Sequence, residues 1–83
     1  MKRIGILSDT HGLWDDKYLH YFEPCDEIWH AGDFGTTDVA DRLAAFRPLR
    51  GVYGNCDGGD LRLMFRETLR FKCEDVDVLM KHI

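Results

Sequence analysis

Three short clusters carry side chains able to hold a divalent cation: Asp9 with His11, then Asp33, then Asn55 with Asp57. Carboxylate, imidazole and amide donors together suit borderline or hard ions better than a thiolate set does. Carboxylates drawn from different segments can hold two ions about 3.5–4 Å apart, with one carboxylate bridging them. Each cluster alone has a simpler reading. Asp9 is also the type of residue that closes a strand with an Asx-turn, and His11 the type found in solvated loops. Gly32-Asp33 and Gly54-Asn55-Cys56-Asp57 both read as turns. For Asp57 a turn role and a role in the site stand equal. The chemistry therefore depends on whether the fold gathers the three clusters.

The elements between them predict that it does. Ile4, Ile6 and Leu7 form a short apolar run ending at Ser8-Asp9-Thr10-His11-Gly12, the pattern of a buried strand. Asp15 or Asp16 starts a helix with Tyr18, Leu19 and Phe22 on one face, and Pro24 ends it. Ile28-Trp29 is a second strand, closing at His30-Ala31-Gly32-Asp33. Thr36 or Thr37 caps a second helix, with Asp38 and Asp41 in its first turn and Val39, Leu43 and Phe46 as its apolar stripe. Leu49, Val52 and Tyr53 give a third strand that closes at Gly54. Right-handed crossovers make these strands parallel. Ligands on such sheets gather at the strands' carboxyl ends, where all three clusters lie. Gly12, Gly32 and Gly54 each sit beside a candidate ligand, where tight turns and close backbone approach are needed.

Beyond Gly59 the pattern changes. Leu61, Leu63 and Phe65 alternate with polar or larger residues, as do Leu69 and Phe71, and Val76, Val78 and Met80. Period-two runs predict short antiparallel or edge strands, with turns near Glu67 and Glu74-Asp75. With 83 residues and no linker, repeat or low-complexity stretch, the chain is one domain, residues 1–83. A net charge of −4 offers no footprint for generic nucleic-acid binding. Neither a signal peptide nor a membrane-length apolar segment is visible, so a cytoplasmic location without membrane association is expected. Cys25, Cys56 and Cys73 are widely spaced and odd in number, which argues against a disulfide framework or a structural zinc site. Cys25 and Cys73 have no activating neighbour. Trp14 and Trp29 read as packing residues, Asp15-Asp16 as helix-start chemistry, and His30 as a strand-end histidine or a partner that orients a ligand.

At these residues the sequence resembles a known family. Asp9-Thr10-His11, Gly32-Asp33 and Gly54-Asn55-Cys56-Asp57 are similar to the first three motifs of the calcineurin-like metallophosphoesterases, most nearly the small bacterial phosphodiesterases of that superfamily. The resemblance runs from Lys2 onward. It implies an α/β fold, the N-terminal part of a four-layer αββα sandwich, with a parallel β-α-β-α-β unit followed by short antiparallel strands. It implies that Asp9 and His11 bind a first metal, that Asp33 bridges, and that Asn55 binds the second. His82, after Val78-Leu79-Met80-Lys81, stands where the family has a further second-metal ligand, though Ile83 follows in place of the usual glycine. Asn55 and Asp57 are the candidate catalytic residues. Two divalent ions are implied, manganese first, with iron, nickel, zinc and cobalt as alternatives.

The activity implied is hydrolysis of a small phosphate ester by a hydroxide activated between two metals. No arginine lies in the three motifs, which tilts the expectation toward phosphodiesters, because a dianionic monoester gains more from a cationic clamp. Two departures matter. The family's last motif, Gly-His-x-His, does not occur, so the chain is expected to be the first part of a longer phosphoesterase domain. Cys56 stands where many relatives carry a histidine that acts on the leaving group, which leaves the general acid unassigned. A non-catalytic interaction scaffold on the same fold is the alternative. Half of a sandwich leaves a sheet face and edge uncovered, so self-association is also expected.

Overall fold

A computed structural model describes residues 1–83. Short apolar runs closed by polar residues form three strands: β1 (Ile4–Leu7), β2 (Glu27–His30) and β3 (Leu49–Gly51). They pair in parallel in the order β1-β2-β3, with Gly5 opposite Ile28, Leu7 opposite His30, and Ile28 opposite Leu49. Residues paired in register share a face and chain neighbours take opposite faces. Gly5, Leu7, Ile28 and Leu49 therefore look one way, and Ile6, Trp29 and Arg50 the other.

The first face is covered by the crossover helices. Helix α1 (Lys17–Phe22) is short; Phe22 packs on Ile28, but none of its residues is fully buried. The expected face of Tyr18, Leu19 and Phe22 is thus used only in part. Helix α2 (Thr37–Phe46) is capped by Thr36, whose hydroxyl accepts the Val39 N–H at 3.4 Å. Asp38 lies in its first turn and pairs with Arg42 at 3.1 Å. Asp41 falls one turn later, because the helix begins at Thr37. Val39, Ala40 and Leu43 are completely buried, and Val39 and Leu43 form the core with Ile28. Each such side chain contributes about 1.5–3 kcal/mol.

One expected strand is a helix. Residues Gly59–Met64 form α3, with the Arg62 N–H donating to Gly58 O at 3.1 Å and the Phe65 N–H to Leu61 O at 2.9 Å. Leu61 and Phe65 are four apart, a spacing that puts them on one face of a helix as well as of a strand. The surface they meet decides: Leu61 and Phe65 pack on Phe34 and Ala40. Leu63, which a strand would have turned inward with them, is 88% exposed.

The hairpin follows the alternation. Strands β4 (Thr68–Cys73) and β5 (Val76–Lys81) are antiparallel, with Leu69 opposite Met80 and Phe71 opposite Val78, and the turn is at Glu74-Asp75. Phe71 meets Trp29 edge-on, with ring centres 4.9 Å apart, and Arg50 lies 4.3 Å over the Phe71 ring. The hairpin therefore sits on the sheet face opposite the helices. It does not reach across β1, where Ile6 is 65% exposed.

Candidate metal centre

The three strands end on one side of the molecule, and the loops that leave them are tied into one unit. Beyond the strands the parallel pairing continues: the Asp9 N–H donates to Gly32 O (2.9 Å), His11 N–H to Asp33 O (3.0 Å) and Gly12 N–H to Phe34 O (2.7 Å). Asp9, His11 and Asp33 adopt left-handed backbone angles, with φ of 56°, 48° and 60°. The only other non-glycine residue there is Glu74, in the hairpin turn. Such conformations cost roughly 1–3 kcal/mol each and persist where surrounding contacts impose them. Three such residues among the candidate ligands mark where the fold spends its strain. Asp and His are enriched in this region of backbone space, a signal in the residue types that spacing alone did not use.

The side chains converge as two donor groups that share Asp33. One is Asp9, Asp33 and His82; the other is His11, Asp33 and Cys56; within each, the ligand atoms lie within 4.8 Å of one another. His82 Nε2 is 3.2 Å from Asp33 Oδ2 and 3.8 Å from Asp9 Oδ1, and His11 Nε2 is 3.6 Å from the same Asp9 oxygen. The His82 ring is oriented from behind, with Nδ1 2.8 Å from Ala31 O. A carbonyl only accepts, so the neutral ring carries its proton on Nδ1 and turns the Nε2 lone pair toward the two carboxylates. Lone pairs facing carboxylate oxygens repel unless a proton or a metal cation lies between them. The donor set therefore fits a divalent ion. The pKa of Asp9 is held below its ordinary value, first by the Ser8 hydroxyl, against a small desolvation cost; His82 and His11 lower it further only when their rings are protonated.

Beneath the donors lie residues that hold them. His30 is fully buried. Its Nδ1 faces the Gly32 N–H at 3.1 Å, and its Nε2 lies 3.0 Å from the Thr10 hydroxyl. Thr10 in turn donates to Phe34 O at 3.0 Å. Only one arrangement satisfies all three contacts: neutral His30, protonated on Nε2 and donating to Thr10. Burial drives its pKa down to about 4, overriding the attraction of Asp57, Asp9 and Asp33. The ring also stacks on Phe34, 3.7 Å between centres. His30 thus links the loop of Asp9 and His11 to the loop of Asp33 without reaching the donors itself.

Asp57 joins the second loop to the third. Its oxygens accept N–H groups from Asp33 (3.0 Å), Gly35 (2.9 Å) and Gly54 (2.9 Å). Burial would raise its pKa; amides of Gly35, Gly54, Phe34 and Asp33 more than reverse this and hold it below the ordinary value. Of these contacts only that with Gly54 belongs to a local turn; the other two brace the loop of Asp33. Two glycines are needed for the approach. A Cβ on Gly54 would run into the Asp33 carboxylate, and one on Gly32, at φ 110°, would come within 2.7 Å of His82 Nδ1.

Asn55 is exposed and makes no hydrogen bond within the chain; with His82 it lines a cavity of about 190 Å³. Cys56 gives its N–H to Asp33 Oδ1 at 2.9 Å. Its thiol pKa is raised, first by the Asp33 carboxylate and then by burial. Sequence reasoning placed Cys56 in the leaving-group position and did not foresee it beside His11. The bracing role of Thr10 was also missed. Thr10 acts through contacts to His30 and Phe34 across loops that no local pattern reports.

Comparison with known proteins agrees with this architecture. The calcineurin-like phosphoesterase superfamily domain matches residues 1–83, and the chain belongs to that superfamily. The crystal structure of a conserved protein from Streptococcus pneumoniae TIGR4, described as a predicted phosphoesterase, has a similar fold, with a TM-score of 0.65 at 22% identity. The match covers 96% of this chain and 44% of that one, so this chain spans less than half the length of that relative. No curated protein matches the chain significantly.

Proposed function

We propose that these residues form part of the metal centre of a phosphoesterase, and more narrowly of a phosphodiesterase that works with two divalent ions, manganese first among them. One observation carries the reading: Asp33 belongs to both donor groups, as a bridging carboxylate must. Divalent ions bound there would lower the pKa of water and offset charge developing on the phosphoryl oxygens. The chain's own part is positional. Asp9, Asp33 and His82 converge on one point, and His11 Nε2 lies 3.6 Å from the same Asp9 oxygen that faces His82. Asn55 stands exposed at the mouth of the cavity it shares with His82, where its amide can meet a phosphoryl oxygen. In the metal-free chain the Asp33 carboxylate raises the Cys56 thiol pKa, whereas an ion held by His11, Asp33 and Cys56 would favour the thiolate. No arginine or lysine forms an ion pair with Asp9 or Asp33. A donor cluster without a fixed cation favours the single charge of a diester over the double charge of a monoester.

Calorimetric titration of the protein with manganese, followed by turnover of aryl mono- and diesters, tests the reading. Two sites per chain and faster diester hydrolysis are expected. No binding under manganese excess defeats the metal reading, and faster monoester hydrolysis defeats the diester preference.

A further inference from the structure

The cavity beside Asn55 and His82 carries two cations that no motif contains. Its wall includes Tyr53, Asn55, Arg62, Glu67, Lys81 and His82. Arg62 reaches it because residues 59–64 form a helix. One turn past Asp57, the Arg62 Nε–H donates to Asp57 O at 2.8 Å, and the guanidinium lies 4.5 Å over the Tyr53 ring. Those two contacts fix its plane and occupy one of five N–H donors. Lys81 arrives from the end of β5, next to His82. Neither Arg62 nor Lys81 enters an ion pair, although Glu67 lines the same cavity. A guanidinium held in place by a backbone carbonyl and an aromatic face, with its fork of donors left over, is built to receive a planar or tetrahedral anion.

We infer that Arg62, with Lys81 beside it, is a specificity-determining residue: it binds a second anionic group, a carboxylate or phosphate, carried on the alcohol portion of the ester. This rests on the phosphoesterase reading for the reaction, but the anion site can be tested apart from it. The phosphoryl group would lie at the donors, and the cavity, opening between Asn55 and His82, would take the ester's substituent. At about 190 Å³ it has room for a single small group.

Binding of two non-hydrolysable probes, phenylphosphonate and 4-carboxyphenylphosphonate, to the manganese-loaded protein measures the site by calorimetry. The carboxylated probe is expected to bind about tenfold more tightly. Arg62→Gln should bring the ratio close to one, Arg62→Lys should restore part of it, and Lys81→Gln, on a different element, should lower it by a smaller factor. A KM-against-kcat split on the matching aryl methyl phosphate diesters, with and without the carboxylate, should show the same discrimination in KM. Equal affinity for both probes, binding of neither, a ratio that survives Arg62→Gln, or a variant that weakens both probes alike overturns the inference. If the probes are discriminated but no ester is turned over, the anion site stands and the phosphoesterase reading fails.

Discussion

The two ends of the parallel sheet handle their carboxylates in opposite ways. At the amino end, Glu27 is enclosed. Its oxygens take Trp29 Nε1 at 2.6 Å, Arg50 Nε at 2.8 Å and Lys2 Nζ at 3.1 Å. Burial would raise its pKa, and these three partners lower it below the ordinary value. At the carboxyl end, Asp9 and Asp33 face a histidine lone pair and no arginine or lysine. The first cluster is closed: its charges are balanced by the chain. The second is open, and strained backbone at Asp9, His11 and Asp33 holds it so. A closed charge cluster serves stability, while an open one needs something from outside the chain.

Asp33→Asn is the largest expected break in that contrast. The amide can keep the Cys56 N–H on Oδ1 and offer its own N–H to His82 Nε2, so the metal-free protein should unfold at the same urea concentration or a higher one. Manganese affinity should fall by about a hundredfold or more, beyond the loss usual for supporting residues. Calorimetry and urea unfolding on the same samples check both parts. A metal affinity within threefold of the parent would remove Asp33 from the centre.

Next in size is the acid sensitivity of the open end. His30 titrates near 6.5 in the unfolded chain and at about 4 in the fold. Its folded pKa is depressed, so the unfolded chain takes up the proton first. The stability tied to neutral His30 is whole above about pH 6.5 and lost as pH falls toward 4. A difference of about 2.5 units at 1.36 kcal/mol each comes to roughly 3 kcal/mol. Urea midpoints of the metal-free protein from pH 7 to 4 measure it, and a His30 imidazole resonance, assigned by its loss in His30→Gln, that titrates near 6.5 would contradict the burial argument.

Glu27→Gln should show the closed end's smaller and separate contribution. It should cost about 1–3 kcal/mol, as for other buried charge-assisted hydrogen bonds, and leave manganese affinity within twofold. Because the Glu27 pKa is depressed in the fold, its share of stability is present above about 4.5 and lost only below that. The two ends therefore fail in sequence on acidification, His30 before Glu27. A single transition centred below pH 4.5 would show that the ends are not separable in this way.

The same division separates what could be read in the sequence from what could not. Apolar runs that stop at Asp9, Asp33 and Asn55 are local features, and parallel pairing with right-handed crossovers carries them to one edge. The glycines beside them were legible for the same reason. His30 and Asp57 stood out as residues but their partners did not, since each acts across loops; Arg62 was hidden because residues 59–66 read as a strand. Whether Asp57 closes its own turn or ties three amides together depends on where Asp33 and Gly35 come to lie, 24 and 22 residues earlier. Cys56 comes beside His11 across the chain, with its N–H held by Asp33. Residue type and spacing describe an element; they are silent about which neighbour it meets.

Residues 59–66 give the smallest test and the most direct one of that limit. Alternation places Leu61, Leu63 and Phe65 on one buried face, whereas α3 buries Leu61 beneath Phe34 and Ala40 and leaves Leu63 in solvent. Leu63→Lys should change stability by less than about 0.5 kcal/mol, the usual range for an exposed position away from caps and charges. Leu61→Ala should cost about 2–4 kcal/mol by opening a cavity against Phe34. The comparison also bears on Arg62, because only a helix puts its Nε on the Asp57 carbonyl. If Leu63→Lys destabilised the protein as much as Leu61→Ala, the segment would be a strand, and Arg62 would lose its anchor at the cavity.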